Sequence, residues 1–520
     1  MLSLYFEWFD DSSPYPSTTF AFLISLLVCL ALALLLRWIG RKGKGSLYRR
    51  EALLIVVIIW FLTGIVAALP FTLSGSLRNP LDAYFEVISG LTTTGASVIT
   101  GKVYDSSGKE IPIETTIKTD PPTRYTYYGT IAPIRDASGE IIRTGVEALP
   151  PALLFWRSFL NWLGGMGIVV LFLAILPALG VGGKLLYQAE VPGPVKDSFT
   201  PRIRGTASLL WKIYILLSVL QVVLMVATND QISLFHSILV TFATISTGGF
   251  TPHNSSIGAY ITPTTQWIVC AFMVVGGLNF AHYVHLIRRK ISRLWEPELV
   301  TYFVLLILFS AFVSYKIFGT PQDLLTGPPT GTYSLSEAIR YGTFNLVSCQ
   351  TCTGFATANF DLWPFATQVL LLTAMFVGGM SGSTAGGIKV VRQTMFFKIF
   401  LHRVEAVFRP NAVRAIRVGH GEIAYDRALT VCTFIIIVIG LALIGTFLLV
   451  VDGVDPQTSL SVNACMLNNV GLAFRAAGPE GTFAFLTPFG KSLSIFYMVL
   501  GRLEYFAILI LFLPSFWRSK

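Results

Sequence analysis

Four short stretches of this chain end in glycine, carry no charge and follow a short amphipathic segment. They are Thr92-Thr93-Thr94-Gly95, Ile245-Ser246-Thr247-Gly248, Thr351-Cys352-Thr353-Gly354 and Asn468-Asn469-Val470-Gly471. What such residues offer chemically is main-chain oxygen. A turn of small residues can aim carbonyls at one point, where they replace the hydration shell of a bare cation. Glycine admits backbone angles that a Cβ penalises. A helix ending at the turn adds its partly negative C-terminal end. The segments before the turns are Leu81–Ser89, Ser233–Ala243, Ser336–Val347 and Ser459–Met466. One such turn reads as an ordinary helix cap, where glycine is common. Four of them, each between two apolar spans on the same side, point to a shared ion site. The candidate contacts are Thr93, Thr94, Gly95, Ser246, Thr247, Gly248, Cys352, Thr353, Gly354, Asn469, Val470 and Gly471, with the ion as cargo.

A second group lies in the seventh apolar segment, where Gly378, Gly379, Gly382, Gly386 and Gly387 alternate with Ser381, Ser383 and Thr384 ahead of Lys389. Small residues this dense serve close helix packing or an unwound gate loop, 378–388, below the turns. No Gly-Lys-Ser/Thr follows, which argues against a phosphate-binding loop. Arg502 sits in the last span with Glu504 nearby. An intramembrane charge faces a cavity or a partner, so Arg502 is either a structural pair, with Glu504 or with carbonyls, or a fixed positive charge in the pore. Both roles are compatible. Cys349 and Cys352 have redox spacing without a redox context, and His282 and His285 lack a third ligand. No carboxylate pair or nucleophile–base set recurs at a membrane boundary, which argues against an enzyme.

Positioning such turns requires helices in lipid. The 520 residues are 53% hydrophobic and 13% charged, against about 25% charged in soluble domains. Nine apolar segments are long enough to cross a bilayer, near 18–38, 52–73, 152–178, 208–228, 263–287, 299–318, 364–388, 428–451 and 488–514. In lipid these must be helical. The net charge of +10 sits in alternate loops, as topology control demands and nucleic-acid binding does not. Arg41, Lys42, Arg202, Arg288 and Arg403 mark the cytoplasmic side. The N-terminus is then outside and the C-terminus inside. The polar stretch 101–150 is an extracellular excursion without an assigned role. Span, short helix, glycine turn and span recur four times, as an internal repeat. The expected fold is an all-α polytopic membrane protein. Residues 1–50 form an extra N-terminal transmembrane helix. Four pseudo-symmetric units follow at 51–190, 191–294, 295–424 and 425–520.

With Asn161-Trp162-Leu163-Gly164-Gly165-Met166-Gly167, Ser246-Thr247-Gly248-Gly249-Phe250, Gly382-Ser383-Thr384-Ala385-Gly386-Gly387-Ile388-Lys389 and Gly501-Arg502-Leu503-Glu504, the first turn resembles the Trk/Ktr/HKT potassium-transporter superfamily, in its branch of Trk membrane subunits. The resemblance covers about 46–517. It implies potassium uptake across a bacterial or archaeal cytoplasmic membrane, a pseudo-fourfold filter, the 378–388 loop as intramembrane gate, and Arg502 near the pore. It also implies a homodimer in lipid and a cytoplasmic nucleotide-binding regulatory ring (TrkA-like) as partner, which would carry the only organic cofactor. Glycine in all four turns goes with potassium in this superfamily, and serine in the first turn with sodium. A sodium- or proton-coupled symporter remains the alternative. Members usually open with two spans before the first repeat. The single span at 18–38 implies a reduced leading domain or an internal start. The basic segments 184–206 and 402–425 are candidate docking surfaces for the ring.

Overall fold

The computed structural model describes residues 15–41, 49–117, 122–136, 138–175, 203–289, 296–326, 331–409, 417–418, 421–422 and 425–518. Most of the basic segment 184–206 and part of 402–425 lie outside the described residues.

After a leading helix, Thr19–Gly40, one pattern recurs four times. The outer helices are Arg49–Leu73, Ile203–Thr228, Pro297–Ile317 and Tyr425–Val451. The pore helices are Pro80–Leu91, Leu234–Ile245, Leu335–Gln350 and Pro456–Asn468. The inner helices begin at Pro151, Pro263, Phe365 and Pro488. At 1.5 Å per residue a pore helix of 12 residues runs about 18 Å, short of the roughly 30 Å hydrocarbon core. It must therefore be enclosed by the longer helices. Each inner helix packs on its own pore helix and also on the next repeat's. Inner helix 1 lies against pore helix 2, inner 2 against pore 3, inner 3 against pore 4 and inner 4 against pore 1. The contacts close a circle, and that is the fourfold architecture.

Local sequence starts each pore helix. Asn79 accepts from the Leu81 amide and Ser233 from the His236 amide. Ser334 and Glu337 form a capping box. Asp455 accepts from the Gln457 and Thr458 amides. Proline follows Asn79 and Asp455 at the first helical position, where its missing N–H costs nothing.

The excursion is β-structured: Val103–Tyr104 pairs with Glu110–Ile111, Ile113–Ile117 with Thr123–Tyr127, and Ile134–Arg135 with Ile141–Arg143, all antiparallel. It is tied to repeat 4 by Tyr125, whose hydroxyl donates to Asp455 at 2.7 Å.

The sequence reading placed one break, in the seventh span. The structure breaks all four inner helices. The first has non-helical backbone at Gly167. The second bends by 93° between Gly276 and Phe280, and the fourth by 112° between Arg502 and Phe506. The third opens into the 378–389 loop before resuming as Val390–Phe408. Among the described residues five helices are long and apolar enough to span a membrane, or seven with each bent pair counted as one. The expected continuous spans at 263–287 and 488–514 are therefore corrected to bent pairs. Apolar helix flanks each bend on both sides, so composition averaged over the whole segment hides it.

Candidate functional site: the ring of four turns

Every pore helix ends in the same motif. The amides of Thr93, Thr247, Cys352 and Asn469 return to carbonyls three residues back, those of Gly90, Thr244, Cys349 and Met466. The next amides, of Thr94, Gly248, Thr353 and Val470, reach five back, to Ser89, Ala243, Ser348 and Cys465. These are Schellman-type caps, but the left-handed position holds threonine, threonine, cysteine and asparagine, with φ of 54°, 52°, 55° and 53°. Glycine comes two residues later, at Gly95, Gly249, Gly354 and Gly471, again with positive φ. Left-handed residues on either side of an ordinary one turn successive carbonyls toward one side of the chain.

This geometry corrects the register of repeat 2. The sequence reading aligned Ser246-Thr247-Gly248 with Thr93-Thr94-Gly95. The equivalent residues are Thr247, Gly248 and Gly249, while Ser246 caps the helix at the place of Thr92 and Thr351. Two adjacent glycines conceal the frame in the sequence, and only the second has positive φ.

The turns meet around one axis. A Cβ on Gly95 would strike the Gly248 carbonyl oxygen, one on Gly249 that of Thr353, one on Gly354 that of Val470, and one on Gly471 that of Thr94. Each turn thus lays the carbonyl preceding its glycine against the glycine of its neighbour, and the four contacts form a closed loop. Above them lies a cavity of about 330 Å³ whose lining includes all four glycines, Arg157 and His253. Side chains tie the ring from behind. Thr92 and Thr94 share a hydrogen bond of 2.7 Å, as do Thr351 and Thr353. Asn469 donates to the Thr94 hydroxyl and to the Met498 carbonyl.

The 378–389 loop crosses beneath the ring. Gly378, Gly382, Gly387 and Lys389 have positive φ. The Met380 amide donates to Gly277 at 2.9 Å, at the break in inner helix 2. The Thr384 hydroxyl donates to the carbonyls of Ile245 and Gly276, both at 3.1 Å, below turn 2. Gly386 lies against the Asn468 carbonyl below turn 4. Gly379 abuts Gly277 and Ala385, and the Ser383 hydroxyl donates within the loop to Met380. Lys389 Nζ donates to the Ala385 carbonyl. Arg502 donates to Thr384 from the loop at 3.0 Å, and to Gly164 and Gly165 of inner helix 1. Of the two structural pairings considered for Arg502, the carbonyl one is present. Glu504 instead holds Arg392 at 2.5 Å.

Cys349 and Cys352 are buried free thiols, and no His/Cys/Asp/Glu cluster able to hold a metal occurs among the described residues. Sequence reasoning passed over Glu86 and Arg157, which form an ion pair of 2.5 Å behind the ring. A charge inside the 152–178 span was the available signal.

The family model described as TrkH, cation transport protein, matches residues 135–519. The chain belongs to the TrkH family. Among TrkH relatives, the Trk system potassium uptake protein TrkH of Escherichia coli K12 is 35% identical over 505 residues, 96% of this chain and 92% of that protein. The protein of the same name in Halomonas elongata is 34% identical with the same coverage. The crystal structure of the potassium transporter TrkH from Vibrio parahaemolyticus matches with a TM-score of 0.76 and 29% identity, covering 96% of this chain and 93% of that one. The TrkH family is one of cation transport proteins, which places this chain among multi-pass membrane transporters and not among enzymes.

Proposed function

We propose that this chain takes up potassium across the cytoplasmic membrane, through the ring of turns acting as the selectivity filter. The observation that carries the proposal is the closed circle of carbonyl-on-glycine contacts linking Gly95, Gly249, Gly354 and Gly471. A potassium ion on that axis exchanges water for main-chain oxygens of the turns, those of Thr94, Gly248, Thr353 and Val470 among them. The four pore-helix C-termini aim their negative ends at the same place. The membrane potential drives the ion inward, at about 2.3 kcal/mol per charge per 100 mV.

The 378–388 loop is the gate in this reading. Thr384 and Gly386 touch two turns from below, and Arg502 holds the loop to the broken part of inner helix 1. Its glycines let the main chain change path at little steric cost. A cytoplasmic nucleotide-binding ring, TrkA-like, opens the gate, and two copies of the chain assemble in the membrane with their C-termini inside. Four units at 51–190, 191–294, 295–424 and 425–520 each supply a quarter of the filter.

The test is growth of a potassium-uptake-deficient host at low potassium, followed by reversal potentials in liposomes under opposed sodium and pH gradients. Rescue, with a reversal potential that follows potassium alone, supports conduction. A potential that moves with sodium or protons indicates coupled transport instead. No rescue, despite verified insertion of the protein, overturns the proposal.

A further inference from the structure

Behind the ring, at the seam between repeats 1 and 2, lies a charge pair for which ion conduction has so far had no use. Glu86, on pore helix 1, is 0% exposed, and Arg157, on inner helix 1, is 4% exposed. Arg157 Nε donates to Glu86 at 2.5 Å. Burying two charges is costly, and a hydrophobic pair of similar volume is often no less stable. Stability alone therefore gives no reason for the pair.

Its hydrogen bonds do. The Glu86 carboxylate accepts from the Ser97 hydroxyl at 3.0 Å and the Val98 amide at 3.1 Å. These residues form the limb that leaves turn 1 just after Gly95. Arg157 Nη1 donates to the Thr251 carbonyl at 3.0 Å, and the guanidinium lies 3.5 Å from the centre of the Phe250 ring. Phe250 and Thr251 form the corresponding limb of turn 2, just after Gly249. One ion pair thus grips both limbs, and its main contacts lie within three residues of the turn glycines. The same offset before the turn glycine is occupied by Val240, Asn345 and Val462 in the other repeats. Asn345 holds its own limb through Thr357, by hydrogen bonds of 3.0 and 3.3 Å. The position therefore serves limb-holding in repeats 1 and 3, and in repeat 1 the charge extends that hold across the seam. Where repeat 4 meets repeat 1 the limb is tied by main chain instead, the Phe483 amide donating to the Ser97 carbonyl at 2.9 Å.

We propose that Glu86 and Arg157 are positioning residues for ion selectivity, setting the spacing of turns 1 and 2 by clamping both limbs through one buried ion pair. This rests on reading the ring as the selective element. Arg157 borders the cavity above the ring, and Glu86 is fully buried behind it. Both act through the carbonyls whose places they hold.

The experiment measures the potassium-to-sodium permeability ratio, from reversal potentials in liposomes, and the melting temperature of the purified protein. The variants are Glu86→Gln, Arg157→Lys and the double variant Glu86→Met/Arg157→Met. The ratio does not depend on how much protein inserts. Glu86→Gln and Arg157→Lys should each lower it about tenfold, the scale of one lost charge-assisted hydrogen bond. The double variant leaves no unpaired charge and should melt above both single variants, yet its ratio should stay low. Wild-type selectivity in the double variant, or in both single variants, overturns the proposal. Failure of the ring reading shows separately, as a wild-type protein that does not favour potassium.

Discussion

Asn469, at the left-handed position of the fourth turn, donates through its amide to the Thr94 hydroxyl of the first turn at 2.9 Å. The two residues are far apart in the chain and adjacent in the ring, so this bond helps close the circle. The same amide reaches the Met498 carbonyl on inner helix 4 at 2.9 Å.

Asn469→Ala removes both bonds and puts a Cβ-bearing residue with no local hydrogen bonding at φ 53°. A loss of about 2–4 kcal/mol is expected. Asn469→Gly loses the same bonds but tolerates the angle, so it should be less destabilised by about 1 kcal/mol. Thermal unfolding of the detergent-purified protein checks the order. Equal destabilisation by alanine and glycine would show that the left-handed angle contributes nothing.

The register of repeat 2 gives an opposed pair of outcomes. Gly249 has φ 77°, and a Cβ there meets the Thr353 carbonyl. The atoms nearest a Cβ on Gly248 belong to the side chain of Asn161, at 2.6 Å. Gly249→Ala should abolish potassium uptake, whereas Gly248→Ala should keep a measurable part of it after Asn161 repacks. Radioactive rubidium uptake, normalised to membrane-inserted protein, reads the difference. The reverse order would restore the sequence-based frame.

Turn 1 offers the corresponding selectivity test. At Gly95 φ is 80° and a Cβ meets the Gly248 carbonyl. Gly95→Ser should push turns 1 and 2 apart and raise sodium permeation relative to potassium, visible as a shifted reversal potential in mixed ions. An unchanged potential removes Gly95 from the filter.

Much of this was legible in the sequence, and the limits have physical causes. Pore-helix positions could be read because an apolar segment too short to span, followed by glycine, has few other homes in a membrane protein. Breaks in inner helices 2 and 4 could not, because Gly277-Leu278-Asn279 and Leu503-Glu504-Tyr505 bend the chain without an obvious cluster of small residues. The Gly248/Gly249 frame depends on backbone angles that two neighbouring glycines satisfy equally on paper. Arg502 stood out as a charge inside the last span with Glu504 nearby, while Arg157, whose partner Glu86 comes from another helix, could be paired only in three dimensions.

Beside the cavity above the ring, His253 Nδ1 and Glu147 lie 3.1 Å apart. The hydrogen bond with His253 is the main cause that holds the Glu147 carboxyl below its ordinary value of 4.5; partial burial opposes it and the Asn254 amide assists. A depressed carboxylate stabilises the fold fully above that ordinary value and progressively less as pH falls below it through the folded-state pKa. Glu147→Gln should therefore melt lower than wild type at neutral pH, and the gap should close on acidification below about pH 4.5. A gap unchanged across that window would mean the carboxylate is not linked to folding.

Threonine, threonine, cysteine and asparagine occupy one backbone position in the four turns. The main chain follows the same path with three different side chains at that position. A pore assembled from identical subunits changes all its quadrants whenever one codon changes. Here each quadrant has its own codons, so a single substitution can alter one side of the ring while the other three stay unchanged.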